Sequence, residues 1–153
     1  MNFNAKLFVN DESKAIRMGR MAFHFKMSAD DTQGAYSVME AIVPPESGSG
    51  LHRHWSYDEA ALVIEGKFDV QVDGRQMTLG AGESVYWPRG CSHKFKSIGP
   101  ETGRVIFICS PGRIFEDFVA GVIAGQVPTG TGSSGPAFDF RGFASKYGIE
   151  FMD

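Results

Sequence analysis

Apolar and polar residues alternate along several short segments of the chain. Between residues 21 and 27, Met or Phe occupies every second position, and residues 68–72 and 93–96 have the same period. A period of two indicates a β-strand with one buried face. Further strand-like segments, bounded by turn-forming residues, are residues 6–9, 35–43, 52–55, 60–64, 77–79, 84–87 and 104–109. Short strands separated by turn signals predict an all-β sandwich or barrel.

Turn and helix signals complete this pattern. Asp73-Gly74 lies between two strand-like segments and predicts a tight hairpin. Ser110 is expected to cap a helix whose first turn contains Pro111. Apolar residues at helical spacing then predict a buried stripe that packs on the barrel or on a partner subunit. The stripe consists of Ile114, Phe115, Phe118, Val119, Val122 and Ile123. Residues 138–147 predict a second short helix followed by Gly148.

The domain organisation follows from length and composition. A chain of 153 residues suits one compact domain. We expect residues 1–125 to form the barrel with its following helix. Residues 126–153 are expected to form a flexible linker, rich in Gly, Ser and Thr, and a short C-terminal helix that packs on the barrel. We hypothesise that residues 126–137 let this last helix gate the pocket.

Composition excludes several classes of function. Fifteen Lys and Arg against 18 Asp and Glu give a net charge of −3 without a basic cluster, so we expect no nucleic-acid binding. The longest near-apolar segment has eight residues, whereas a membrane span needs about 20. Two cysteines, Cys91 and Cys109, cannot form a disulfide framework and fit a reducing compartment. With acidic residues early in the chain and no signal peptide visible, we expect a cytoplasmic protein.

Three histidines and one glutamate carry the strongest chemical signal. Alternate side chains of a strand share a face, so His52 and His54 point the same way, and Glu59 follows after a short bend. His93 comes from a second segment, at the start of another strand. Three imidazoles and one carboxylate suit one divalent transition metal per chain, namely Fe, Mn, Ni, Co, Cu or Zn. One or two coordination positions would stay open for water or substrate.

The spacing around the first three of these residues resembles a motif of the cupin superfamily. The pattern G-x5-H-x-H-x3-4-E-x6-G is matched at His52, His54, Glu59 and Gly66, and Glu46 stands at the leading glycine position. The departure affects a loop position and leaves every ligand in place.

A second segment resembles the other motif of the same superfamily. The pattern G-x5-P-x-G-x2-H-x3-N is matched at Gly82, Pro88, Gly90 and His93, and Ser97 replaces the asparagine. The two resemblances imply a cupin double-stranded β-helix, which is a jelly-roll-like barrel with the metal near one mouth, here followed by one or two C-terminal helices. Residues 147–150 also resemble small single-domain cupins of the quercetinase-like type.

The resemblance implies an enzyme, a metal-dependent dioxygenase and therefore an oxidoreductase. Its substrate would be a small aromatic, enolic or flavonol-like compound, with dioxygen as the second reactant. Glu59 is either a metal ligand only or both ligand and general base for a substrate hydroxyl. Two alternatives stay open. One is a metal-dependent isomerase or epimerase of a sugar or keto acid, and the other is a non-catalytic cupin that binds a small molecule.

The isomerase alternative needs an inward cation to hold an anionic substrate. Strand parity directs Arg53, Lys94 and Lys96 away from the ligand face. The arginines that stay available are Arg75, Arg89 and Arg104.

Apolar residues at the barrel mouth are expected to form the substrate pocket. They are Tyr36, Val63, Trp87, Phe95 and Phe107. Sheet edges of a small barrel invite pairing with a second copy, so we also expect a homodimer. Its predicted contact combines residues 6–9 with the strand over residues 21–27.

Overall fold

The structure is a computed structural model and describes residues 5–9, 11, 14–126 and 139–152. Its strands form two antiparallel sheets around a hydrophobic core. In chain order the strands are β1 (Ile16–Met18), β2 (Met21–Met27), β3 (Ser37–Val43), β4 (His52–His54), β5 (Asp58–Glu65), β6 (Lys67–Val72), β7 (Arg75–Gly80), β8 (Ser84–Trp87), β9 (His93–Ser97), β10 (Gly103–Ser110) and β11 (Ile149–Phe151). One sheet has the order β1-β2-β3-β10-β5-β8, and the other has the order β11-β4-β9-β6-β7. The predicted all-β fold is confirmed.

The alternation of residue types explains which face of each strand is buried. In β10, Val105, Phe107 and Cys109 are buried, whereas the residues between them are half-buried or exposed. Phe68 and Val70 follow the same pattern in β6. Because successive side chains of a strand point to opposite faces, the buried residues of both sheets meet in the core.

The turn between β6 and β7 is the predicted hairpin. Val72 pairs with Arg75 across the two strands, which leaves a loop of two residues. Asp73 and Gly74 have φ angles of 44° and 81°. Two consecutive residues in the left-handed region match the twist of the flanking strands, and Asp-Gly is a sequence that adopts this conformation readily.

Two edge strands differ from the prediction. Residues 6–9 do not form a strand, so the predicted N-terminal strand is wrong, and β1 lies beside β2 instead. Leu7 and Val9 are 90% and 77% exposed, so this segment buries no apolar face against the sheet. Strand β11 was not predicted, and it pairs with β4 at the edge of the second sheet. Both edge strands have three residues, which is too short for a period to be recognised.

Helix α1 (Arg113–Gly121) begins later than the capping signal predicts. Ser110 is the last residue of β10, where it pairs with Asp58 of β5. The predicted cap at Ser110 is therefore wrong, because the sheet incorporates this residue. Gly112 precedes the helix and provides no side-chain cap. After the helix the chain continues as a π-helical turn (Val122–Gln126).

Helix α2 (Phe140–Ser145) is the second predicted helix. The carboxylate of Asp139 caps it by accepting a hydrogen bond from the backbone N–H of Gly142 at 2.8 Å. Gly148 follows with a φ of 70°, and the chain then enters β11. The predicted linker over residues 126–137 lies almost wholly outside the described residues, and so does the gating hypothesis. The division of the chain into barrel and tail stays a prediction.

The two helices pack on the barrel and on each other. Phe115, Phe118 and Val119 of α1 are buried in the core. Phe143 of α2 contacts Phe118, with ring centroids 5.8 Å apart. A fully buried aromatic or aliphatic side chain contributes about 1.5–3 kcal/mol, so these contacts fix the helices against the sheets. Neither described helix has the length and apolar character needed to cross a bilayer.

A buried carboxylate on the outer face of the first sheet is held by two cations. Glu40 is 4% exposed, and Lys26 Nζ lies 2.7 Å from its Oε2. Arg104 donates from Nε to Glu40 Oε1 at 2.7 Å and from Nη1 to Glu65 at 3.1 Å. Burial raises the pKa of Glu40, but the contacts with Lys26 and Arg104 outweigh it and hold the pKa below its ordinary value.

We expect Glu40→Gln to lower the free energy of unfolding by about 1–3 kcal/mol at pH 7, because two cations lose their buried partner. The ionised form is favoured in the fold, so this contribution is present above pH of about 4.5 and is lost as the pH falls below it. Urea unfolding at pH 7 and pH 3.5 measures both effects. Glu65→Gln is the control, since Glu65 is 57% exposed and its removal should cost less than about 1 kcal/mol. Equal losses in the two variants would contradict the role of burial.

Candidate metal centre

The structure brings the four predicted ligand residues together inside the barrel. His52, His54, Glu59 and His93 are all buried, and their ligand atoms lie within 4.8 Å of one another. The histidines belong to β4 and β9, where His52 is paired with His93, and Glu59 belongs to β5 in the opposite sheet. The cluster therefore spans both sheets.

Backbone carbonyls fix the protonation of two imidazoles. His52 Nδ1 lies 2.8 Å from the carbonyl oxygen of Gly50, and His93 Nδ1 lies 3.1 Å from that of Cys91. A carbonyl only accepts, so Nδ1 carries the proton in both rings. Nε2 then keeps a lone pair that can bind a metal ion, as metal-binding histidines require. His93 Nε2 lies 3.3 Å from Glu59 Oε2.

The same carboxylate oxygen also faces the third imidazole. His54 Nδ1 lies 3.4 Å from Glu59 Oε2. The pKa of His54 falls to about 3, mainly because the ring is buried; Glu59 opposes this shift, and His52 and His93 add to it. Burial also raises the pKa of Glu59, but the three histidines outweigh this effect and hold it below its ordinary value. At neutral pH the site thus combines a neutral imidazole with an ionised carboxylate.

These donors fit a divalent transition metal. Ligand atoms at about 2.0–2.3 Å from one ion lie up to about 4.5 Å apart, so the observed spread of 4.8 Å requires only small side-chain shifts. Imidazole nitrogen and carboxylate oxygen suit the borderline metals from Mn to Zn. Metal binding needs deprotonated ligands, and the lowered pKa values of His54 and Glu59 both favour that state.

Each of the three histidine rings of the cluster packs nearly parallel to one aromatic ring. Phe151 of β11 contacts His52 with centroids 5.4 Å apart at 26°. Tyr57, in the bend before β5, contacts His54 at 4.2 Å and 21°. Trp87 of β8 contacts His93 at 4.6 Å and 18°. Because these rings come from three different segments, the imidazoles are held from three sides.

A cavity of about 940 Å³ adjoins the cluster, whose four residues form part of its wall. Most other side chains that line it are apolar, and seven of them are phenylalanines. The phenylalanines are Phe23, Phe95, Phe107, Phe115, Phe118, Phe140 and Phe151. A cavity of this size and lining accommodates an apolar molecule of more than one ring.

Two of the five predicted pocket residues line this cavity. Phe95 and Phe107 face it with ring centroids 5.3 Å apart. Tyr36 is 40% exposed at the start of β3, and Val63 is buried in the core, so neither belongs to the lining. Trp87 lies behind His93 and not in the wall.

Sequence reasoning missed most of the remaining wall. The apolar stripe of α1 predicts packing on the barrel or on a partner subunit, whereas its Phe115 and Phe118 both pack in the core and line the cavity. Phe140 and Phe151 come from the C-terminal elements. The signal available in the sequence was the density of phenylalanine in these segments, but it does not say which face meets a cavity.

Comparison with known proteins finds a family match over part of the chain. Residues 39–109 match the profile of the family described as "Cupin domain". A curated polyketide synthase, CurC from Streptomyces cyaneus, is 32% identical over 71 residues, which are 46% of this chain and 46% of that protein. The chain thus spans about half the length of this relative.

Solved structures have the same fold. KdgF from Halomonas sp. superposes with a TM-score of 0.64 at 19% identity, covering 72% of this chain and 96% of that chain. The polyketide cyclase RemF from Streptomyces resistomycificus superposes with a TM-score of 0.59 at 20% identity, covering 69% of this chain and 80% of that chain. The fold is the cupin-type β-barrel, as the sequence motifs imply.

We expect the protein, purified without a chelating tag, to bind one divalent ion per chain. His93→Ala removes a ligand and should weaken Zn²⁺ or Co²⁺ binding by more than about 100-fold, since loss of an outer contact alone costs 10–100-fold. Competition with a chromophoric chelator measures the affinity, and elemental analysis measures the stoichiometry.

His24→Ala is the matched control for this experiment. His24 is the one histidine of the chain that lies outside the cluster, and it is buried on β2. This variant should retain the affinity of the natural chain even if it is less stable. Equal binding by the His93 and His24 variants would contradict the assignment of the centre.

Proposed function

We propose that this protein, whose residues 39–109 match the cupin domain family, is a metal-dependent enzyme that oxygenates a small aromatic or enolic compound. One observation carries the proposal: a buried cluster of three histidines and Glu59 opens onto a cavity whose other walls are largely apolar and include seven phenylalanines. Apolar rings would pack on these walls, and a phenolic or enolic oxygen would face the cluster.

The side chains of the site have distinct proposed roles. A divalent ion, when bound, supplies a Lewis acid that favours the deprotonated form of a substrate hydroxyl. The three histidines hold their donor atoms toward one point. Glu59 is ionised, lines the cavity and accepts the proton of the substrate hydroxyl. The phenylalanine walls orient the ring and exclude water from the reacting atoms.

Similar proteins support an extended, ring-forming substrate class. The names of CurC and RemF describe a polyketide synthase and a polyketide cyclase. We infer that polyketide-like phenols and enols belong to the compounds to be tested, beside flavonol-like ones. Cyclisation without oxygen is a second candidate reaction. The same cavity would fold a polyketide-like substrate, and Glu59 would accept a proton from it.

The composition of the wall disfavours a sugar-phosphate isomerase. Arg53 and Arg89 form ion pairs with Glu150 and Asp58, and neither lines the cavity. Among the described residues, Arg17 is the lining residue with a permanent positive charge. A phosphate group inside a phenylalanine-lined cavity would therefore lack cationic partners deep in the site.

Oxygen uptake by the metal-loaded protein tests the proposal. With flavonols, polyketide-like phenols and enols, we expect uptake of dioxygen and incorporation of both atoms of ¹⁸O₂ into the product. Turnover without oxygen uptake would favour cyclisation, and binding without turnover would favour the non-catalytic alternative.

Substitution of the proposed base tests its role. Glu59→Gln should lower kcat by about 100-fold or more at equal metal content, because general-base catalysis contributes about 10²–10⁴-fold. The control is Glu65→Gln at the exposed end of the same strand, which should retain activity. An unchanged kcat in the Glu59 variant would show that Glu59 is not the general base and leave it the role of a metal ligand.

We also propose a homodimer, with a corrected contact. Strand β2 lies between β1 and β3, so it offers no free edge. The outer face of the first sheet carries exposed apolar residues, among them Leu62, Ile108 and Tyr86. Ile108 and Tyr86 are paired with Ala60 from its two sides, which makes an apolar strip across three strands. A second copy would cover this strip.

A cytoplasmic location stays a prediction.

Light scattering should give twice the chain mass of 16.7 kDa at micromolar concentration. Ile108→Lys should shift the particle toward the single-chain mass, since it buries a charge in the proposed contact. Ile98→Lys is the control, because Ile98 has a similar exposure, 38% against 40%, and lies outside the strip. A monomeric natural chain, or equal effects of both variants, would contradict the contact.

A further inference from the structure

Strand β11 is the neighbour that pairs with β4 along its whole length. Phe151 is paired with His52 and Ile149 with His54. The hydrogen bonds continue beyond the strand ends, since the N–H of Trp55 donates to the carbonyl of Gly148 at 2.8 Å. On its other side, β4 is paired with β9 at His52 alone. The position of two proposed ligands therefore depends largely on the C-terminal strand.

The inner face of β11 belongs to the candidate metal centre. The Phe151 ring packs on the His52 imidazole at 5.4 Å and 26°. Ile149 and Phe151 line the cavity, and Phe140 of α2 packs on Phe151 with centroids 5.4 Å apart. His52 is thus fixed by the Gly50 carbonyl at Nδ1 and by an aromatic ring from the end of the chain.

The outer face of β11 fastens it to β4. Glu150 lies opposite Arg53 and accepts from its Nε at 2.9 Å and from its Nη2 at 3.1 Å. Trp55 Nε1 donates to the same carboxylate at 2.8 Å. The Arg53 guanidinium in turn lies 4.3 Å from the centre of the Trp55 ring. Paired hydrogen bonds and ring stacking make this contact more specific than a single ion pair.

We propose that β11 is a positioning element of the metal centre, in which Phe151 orients His52 and Glu150 holds the strand on β4. Ion binding and docking of the C-terminal strand then favour each other, because each stabilises the position of β4 that the other needs. The inference rests on the proposed metal site and not on the proposed oxygenation.

Co²⁺ binding by the full chain tests the role of Phe151. Phe151→Ala should weaken Co²⁺ binding by about 10–100-fold and change the visible absorption of the bound ion, because an outer partner of a ligand is lost. Phe23→Ala is the matched control: it removes a buried ring from another part of the same cavity wall, on β2, and among the ring contacts of the described residues Phe23 has none with a histidine or Phe151. It should retain affinity and spectrum.

Amide hydrogen exchange tests the coupling in the other direction. Zn²⁺ should slow exchange of the β11 amides in the natural chain, and the protection should be smaller in Glu150→Gln. Where Phe151→Ala fails to fold, Phe151→Leu keeps apolar volume without a planar ring and is compared with Phe23→Ala instead.

Equal Co²⁺ affinity in the variants of Phe151 and Phe23, or β11 exchange that Zn²⁺ leaves unchanged, would overturn the proposal. A natural chain that binds no Co²⁺ would overturn the metal site as well, whereas absent turnover with normal binding would affect the proposed oxygenation alone.

Discussion

Burial of one carboxylate among three imidazoles is the constraint on which the rest of this structure depends. An ionised carboxylate in an apolar interior costs several kcal/mol unless charges or hydrogen bonds compensate it. Around Glu59, β4 and β9 place His52, His54 and His93, with His54 Nδ1 3.4 Å and His93 Nε2 3.3 Å from its Oε2. A bound cation would compensate the charge of the carboxylate directly. The sheets must therefore hold four side chains in place around a group that they cannot leave unpaired.

The sequence predicted those parts that depend on local rules. Alternation on a strand gives His52 and His54 a common face, and Asp73-Gly74 selects a hairpin with left-handed residues. The spacing of the motifs adds Glu59 and His93 to the predicted ligands, and the structure brings both to the same cluster.

The parts that the sequence did not predict depend on tertiary packing. Ser110 has the chemistry of a helix cap, yet pairing with β5 incorporates it into the sheet. Trp87 has the residue type of a pocket wall, but it packs behind His93. Strand β11 has too few residues for a period, and its partner β4 lies almost 100 residues earlier in the chain. In each case the residue type is compatible with two environments, and only contacts distant in sequence choose between them.

Strand alternation also separates the chemistry of the site from its anchoring. Each ligand-bearing segment has a fastening contact one residue away from a ligand, on the outer side. Arg53, between two histidines, binds Glu150, and Asp58, beside Glu59, accepts from the N–H and the guanidinium of Arg89. The N–H next to His93, that of Ser92, donates to Asp73 at 2.9 Å. Because adjacent residues point to opposite faces, these polar contacts fasten the segments on the solvent side, while the inner face presents the ligand side chains to the apolar cavity.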